Sequence, residues 1–165
     1  MKKVTLLFFG WFLLVNIFAV LVVNRVSVKS DTAYGWINPA NTAQEQTWNP
    51  IPLHAKWDSF WYLDIAQNGY SYREGNLSNI VFFPVYPLLI KLVSLFLGGN
   101  GALAGWVISS GALLFALVFF SKLVKEFHPQ VDPFLPILFL LIFPTAFFLN
   151  AVYTESLFLL LSISS

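Results

Sequence analysis

Three uncharged stretches, residues 4–23, 102–120 and 133–152, set the pattern of the chain. Each runs to about 20 residues, roughly 30 Å as a helix, which matches the hydrocarbon thickness of a bilayer. They are predicted as membrane-spanning helices. A fourth stretch, 157–165, reaches only about 13 Å and reads as the start of a further span. The first stretch exceeds the usual apolar region of a cleaved signal peptide, about 7–15 residues. No small-x-small cleavage pattern follows it in Asn24-Arg25-Val26-Ser27-Val28-Lys29, so it reads as an uncleaved signal anchor.

Lysines beside the spans set the direction. Lys2 and Lys3 precede the first span, and Lys122 and Lys125 follow the second, which places both ends in the cytoplasm. Residues 24–100 then form a large outer loop, and Tyr153-Thr154-Glu155-Ser156 lies on the same outer side. Arg25 and Lys29 weigh against this orientation. Residues 80–97 admit two readings. As a span they would bury Lys91 at about 2.5–3.5 kcal/mol and start across Pro84 and Pro87. As a shorter interfacial helix, about 88–97, they end at Gly98-Gly99 and keep Lys91 and Ser94 on the polar side. The two readings put Glu155 on opposite faces of the membrane.

Composition agrees with a lipid solvent: 58% of residues are hydrophobic and 10% charged, against roughly 25% charged in soluble domains. A net charge of +1 gives no basic surplus for nucleic acid. Cysteine is absent, which excludes disulfides, thiolate metal sites and cysteine nucleophiles. No His/Asp/Glu group has metal-ligand spacing, and both an Asp-x-Asp motif and a glycine-rich phosphate loop are missing. Neither a metal nor another cofactor is expected.

Within the outer loop, residues 31–52 are rich in Asn, Thr, Gln and Pro and read as an irregular connector. The text then changes to an aromatic stretch, with Pro52 suited to a helix start and Asn68-Gly69 to its stop. One stripe of that helix holds His54, Asp58, Trp61, Tyr62 and Ile65, with Trp57, Phe60 and Asp64 away from it. Trp and Tyr favour the membrane interface. Asp58 and Asp64 are then either a solvated face or active-site carboxylates. His54 either pairs with Asp58 one turn later or is an ordinary surface histidine. Lys56 and Arg73 meet a lipid phosphate or anionic headgroups in general. Asn76-Leu77-Ser78 fits the N-glycosylation pattern, which matters only in a eukaryotic source.

Three stretches together resemble one family. They are Trp57-Asp58-Ser59-Phe60-Trp61-Tyr62-Leu63-Asp64-Ile65-Ala66-Gln67-Asn68-Gly69-Tyr70, Phe82-Phe83-Pro84-Val85-Tyr86-Pro87-Leu88, and Phe143-Pro144-Thr145-Ala146-Phe147-Phe148-Leu149-Asn150-Ala151-Val152-Tyr153-Thr154-Glu155-Ser156-Leu157-Phe158. In this order they resemble the PIG-V type, the second mannosyltransferase of glycosylphosphatidylinositol assembly, and its prokaryotic relatives.

The resemblance implies an all-α, multispanning C-type glycosyltransferase with interfacial helices in its first outer loop. Such an enzyme moves a mannosyl or other hexosyl residue from a polyprenyl- or dolichyl-phosphate sugar to a lipid-linked or glycan acceptor, with inversion. The acidic residue of the first outer loop matches Asp58, which would take the acceptor's proton. Asp64, Trp61, Tyr62, Arg73 and Glu155 are the further substrate-binding candidates. Glu155 would orient the acceptor or pair with Arg73; otherwise it belongs to a cap of the fourth span made through Thr154 or Ser156. The expected location is a bacterial cell membrane, or the endoplasmic reticulum membrane in a eukaryote. Family members run longer, so this chain is expected to be an N-terminal part. The alternative is a non-enzymatic multispanning protein, a transporter part or assembly subunit. Transporters carry ionisable residues within their spans, and the three spans here have none.

Overall fold

The computed structural model describes residues 2–26, 48–72 and 78–165. Among them every regular element is helical: α1 (Lys2–Arg25), α2 (Ser59–Asn68), α3 (Val85–Ser94), α4 (Gly101–Phe127), α5 (Phe134–Ile142) and α6 (Glu155–Ser164). Short 3-10 turns lie at Ile51–His54, Asn79–Val81, Leu95–Leu97 and Ala146–Asn150. α1 and α4, with 24 and 27 residues, are long and apolar enough to cross a membrane. At 1.5 Å per residue they reach about 36–40 Å.

These two helices run antiparallel. Val4 and Phe8 pack with Leu113, Leu117, Ile137 and Leu141 towards the lysine-bearing end, whereas Phe12 meets Trp106 nearer the other, at 5.3 Å between ring centres. The far end is built differently. Ala55, Tyr62, Ala66, Tyr86, Ile90, Ala104 and Val152 form a second core that joins α2, α3 and α4 to the turn before α6. Asn100 caps α4, its side-chain oxygen accepting from Leu103 N at 2.9 Å.

Small residues on α4 let its neighbours close in. A Cβ on Gly105 would stand 2.5 Å from Val152 Cγ1 and 3.3 Å from Ile90 Cδ1. Val152 is fully buried and has nowhere to retreat. Gly105→Ala is therefore expected to destabilise the protein by about 1–3 kcal/mol. Gly111, on the same helix with open space around it, serves as the control, where alanine should be neutral or stabilising. Thermal unfolding in detergent compares them, and equal midpoints for the two variants would refute the close contact.

Three predicted helices differ from the observed ones. Residues 133–152 are not one helix: α5 stops at Ile142, Phe143 is extended (φ −60°, ψ 138°) and the chain resumes as the Ala146–Asn150 turn. Pro144 is the cause, since it disfavours helical backbone in the residue before it. The helix expected from Pro52 begins only at Ser59, after a 3-10 turn that ends at His54; its stop at Gly69 (φ 82°) is as expected. α3 starts at Val85 rather than near 88, because Pro87 falls in the first turn where no N–H is needed. Residues 80–97 therefore contain no continuous span-length helix. Gly98 and Gly99, at φ 63° and 82°, end this segment in the left-handed region. α3 buries Tyr86 and Ile90 and leaves Leu88 and Leu92 exposed, and Phe96 is exposed in the 3-10 turn that follows.

Candidate active site around Asp58

Trp57 has φ 49°, the one left-handed non-glycine residue among those described. Bulky side chains adopt that backbone rarely and at a cost of about 1–3 kcal/mol. The kink separates the 3-10 turn from α2 and makes Asp58 the residue that begins the helix, not a mid-helix position. The first-turn amides are already used: Ser59 N donates to Lys56 O at 3.0 Å and Phe60 N to Trp57 O at 3.1 Å. The Asp58 carboxylate makes no capping bond to α2. Its own backbone N–H donates to Tyr153 Oη at 3.2 Å.

That tyrosine belongs to the turn before α6 and is held by both its backbone and its ring. Ser109 Oγ of α4 donates to its carbonyl at 2.9 Å. Its ring packs on Phe148 at 5.0 Å and on Tyr62 at 6.3 Å. Tyr62 Oη in turn lies 3.4 Å from Thr154 Oγ1. Two distant segments thus bring Asp58, Tyr62, Tyr153, Thr154 and Glu155 together. Their charges interact. Partial burial, and then the charge of Asp58, push the Glu155 carboxyl up from the ordinary range. Burial pushes the Tyr62 phenol up, with Glu155 and Asp58 acting in the same direction. Glu155 also lines an apolar cleft of about 750 Å³, together with Phe120, Phe139, Leu140, Phe148, Leu159 and Ile163 among others.

His54 does not pair with Asp58. It is 7% exposed, and its Nε2 lies 2.9 Å from Asn16 Oδ1 on α1. Asn16 Nδ2 donates to Phe12 O and to Asn150 Oδ1, at 2.7 and 3.0 Å. Both amide protons are committed, so the Asn16 oxygen accepts, and the imidazole carries its proton on Nε2. Burial pushes His54 down to about 4, which keeps it neutral. Asn150 extends the network: Trp106 Nε1 donates to its oxygen at 3.4 Å, and its nitrogen donates to Ser110 Oγ at 2.9 Å. The His54 carbonyl accepts from Val152 N at 2.9 Å. The histidine fixes the loop before Asp58 to α1 and to the turn that carries Tyr153.

The other candidates separate. Trp61 is buried and stacked on Phe82 at 5.6 Å. Asp64 accepts from Asn68 Nδ2 at 2.8 Å and from Asn79 Nδ2 at 3.2 Å, which ties α2 to the Asn79–Val81 turn. Arg73 lies outside the described residues. Neither Thr154 nor Ser156 caps α6 through its side chain; Ser156 Oγ donates instead to Leu149 O at 2.6 Å. Ser59 Oγ is buried without a hydrogen-bond partner among the described residues. No group of three His, Asp or Glu among those residues is placed to hold a metal ion. Tyr153 was not visible as a site residue, because its bond to Asp58 crosses 95 positions.

The family model described as Mannosyltransferase (PIG-V) matches residues 2–165. Searches of curated proteins and of solved structures return no match. The family match takes in the Asp58 segment, both span-length helices and the turn bearing Tyr153 and Glu155, and on that coverage the chain belongs to the mannosyltransferase (PIG-V) family.

Proposed function

We propose that this mannosyltransferase-family chain carries the catalytic base of an enzyme that takes mannose from a polyprenyl- or dolichyl-phosphate sugar. The observation that carries the reading is the hydrogen bond that sets Asp58 against the turn bearing Tyr153 and Glu155, with Glu155 lining an apolar cleft. The Asp58 carboxylate accepts the proton of the acceptor hydroxyl while that oxygen attacks the anomeric carbon from the face opposite the phosphate. The configuration inverts as the bond from the anomeric carbon to the phosphate oxygen breaks, and the polyprenyl or dolichyl phosphate leaves as a stable anion without an acid to protonate it. Tyr62 and Glu155 orient the acceptor, and Arg73 meets the donor phosphate. Trp61 and Asp64 support the site through Phe82 and Asn79. The cleft that Glu155 lines offers the isoprenoid chain an apolar bed.

Two span-length helices support a membrane location, which we extend to a multi-pass protein working on the extracytoplasmic or lumenal side. The acceptor is lipid-linked or a glycan. To test the donor, the full-length protein is reconstituted with source-cell membranes as acceptor and given polyprenyl-phosphate mannose or GDP-mannose. Mannose is expected to be incorporated from the lipid donor alone. Equal incorporation from the nucleotide sugar would overturn the donor assignment, and none from either would favour a non-enzymatic role.

A further inference from the structure

The end of the molecule opposite Asp58 gathers four lysines from two distant parts of the sequence. Lys2 and Lys3 open α1, and Lys122 and Lys125 lie in the last two turns of α4; all four line one cleft of about 480 Å³. Ligand clefts commonly hold about 300–1,000 Å³. Asp132 is the one acidic residue in the lining, which leaves a surplus of three positive charges.

That surplus is not neutralised from within. Lys3 Nζ lies 3.9 Å from Asp132, but the two side chains are 79% and 64% exposed, and such surface pairs contribute little. Asp132 is also engaged elsewhere, accepting from Phe134 N at 3.0 Å. Lys125 has a structural role: its Nζ donates to Val131 O at 3.0 Å and to Pro129 O at 3.4 Å. Lys122 Nζ stands 5.3 Å from the Phe119 ring centre. Lys2, Lys3 and Lys122 are the ammonium groups available to an anion.

The geometry points to a binding site for the phosphodiester headgroup of an anionic phospholipid. The shared chemistry is a phosphate anion met by clustered ammonium groups. The lipid form follows from the setting. Both helices that bring the lysines are long and apolar enough to cross a bilayer, so the cleft lies where headgroups are, and Val4 and Phe134 give it an apolar floor. This inference depends on neither Asp58 nor sugar transfer.

Nanodiscs expose both faces, so the orientation taken up in a cell does not enter the test. The full chain is placed in phosphatidylcholine discs containing a minor fraction of phosphatidylglycerol, and retained lipids are counted by native mass spectrometry. One retained phosphatidylglycerol per chain is expected. Lys3→Gln with Lys122→Gln should weaken retention about tenfold or more, whereas Arg25→Gln, at the other end of α1, should not change it. An unchanged thermal midpoint of the double variant in pure phosphatidylcholine would locate the loss in the cleft. Indiscriminate retention of both lipids, or an equal loss in Arg25→Gln, would overturn the site. Inorganic phosphate that displaces the lipid at equal concentration would overturn the lipid assignment.

Discussion

Asp58→Asn is expected to lower mannosyl transfer by about 10²–10⁴-fold, the usual share of a positioned general base, while the thermal midpoint stays where it is. The amide has nearly the same size and suits the start of a helix as well as the acid does. The bond between residue 58 and Tyr153 Oη uses the backbone N–H, which the substitution leaves intact. Folding and chemistry are therefore separable here. What disappears is the carboxylate that, in the proposed mechanism, takes the acceptor's proton. Initial rates with polyprenyl-phosphate mannose measure the effect, and a variant within a fewfold of wild type would remove Asp58 from the mechanism.

Asn150→Leu is expected to cost about 2–5 kcal/mol of stability, the largest structural effect of any substitution considered. Asn150 is fully buried, and its oxygen accepts from both Asn16 and Trp106 while its nitrogen donates to Ser110. Leucine fills the space but leaves two donors and a hydroxyl acceptor without partners, at about 1–3 kcal/mol for each unsatisfied group, less whatever relaxation recovers. Ser94→Ala is the comparison. Its hydroxyl makes an exposed local bond to Lys91 O at 2.8 Å, which water replaces, so a small change is expected. Denaturant unfolding in a mild detergent reads both variants, and equal losses would show that the buried network contributes nothing special.

The two long helices were legible because charge-free stretches of bilayer length leave few alternatives. The rest depended on backbone detail and on distant partners. Pro144 was visible in the sequence, yet the uniform hydropathy of residues 133–152 masked the break it imposes. The late start of α2 follows from the left-handed turn at Trp57, for which a tryptophan gives no signal. His54 looked like a neighbour of Asp58 at helical spacing, but its partner sits on α1, 38 positions earlier. Asp58 was singled out through its motif, as were Tyr62 and Glu155. Tyr153 was not, since it reaches Asp58 only when the chain folds back along α4.

The amide pair between Asn16 and Asn150 also bears on how the protein is made. The two residues are 134 positions apart, and a ribosome adding about 5–20 residues per second separates their synthesis by about 7–27 s. For that interval α1 can satisfy one amide proton of Asn16 on Phe12 O, in its own helix. The second proton waits for Asn150, and the oxygen waits for His54. The first helix therefore enters its surroundings carrying an unfinished polar contact, and its completion marks the arrival of the segment that brings Tyr153 to Asp58. Assembly of the site is thus ordered in time: the earliest helix holds an acceptor that His54 must find and a donor that the later turn must find.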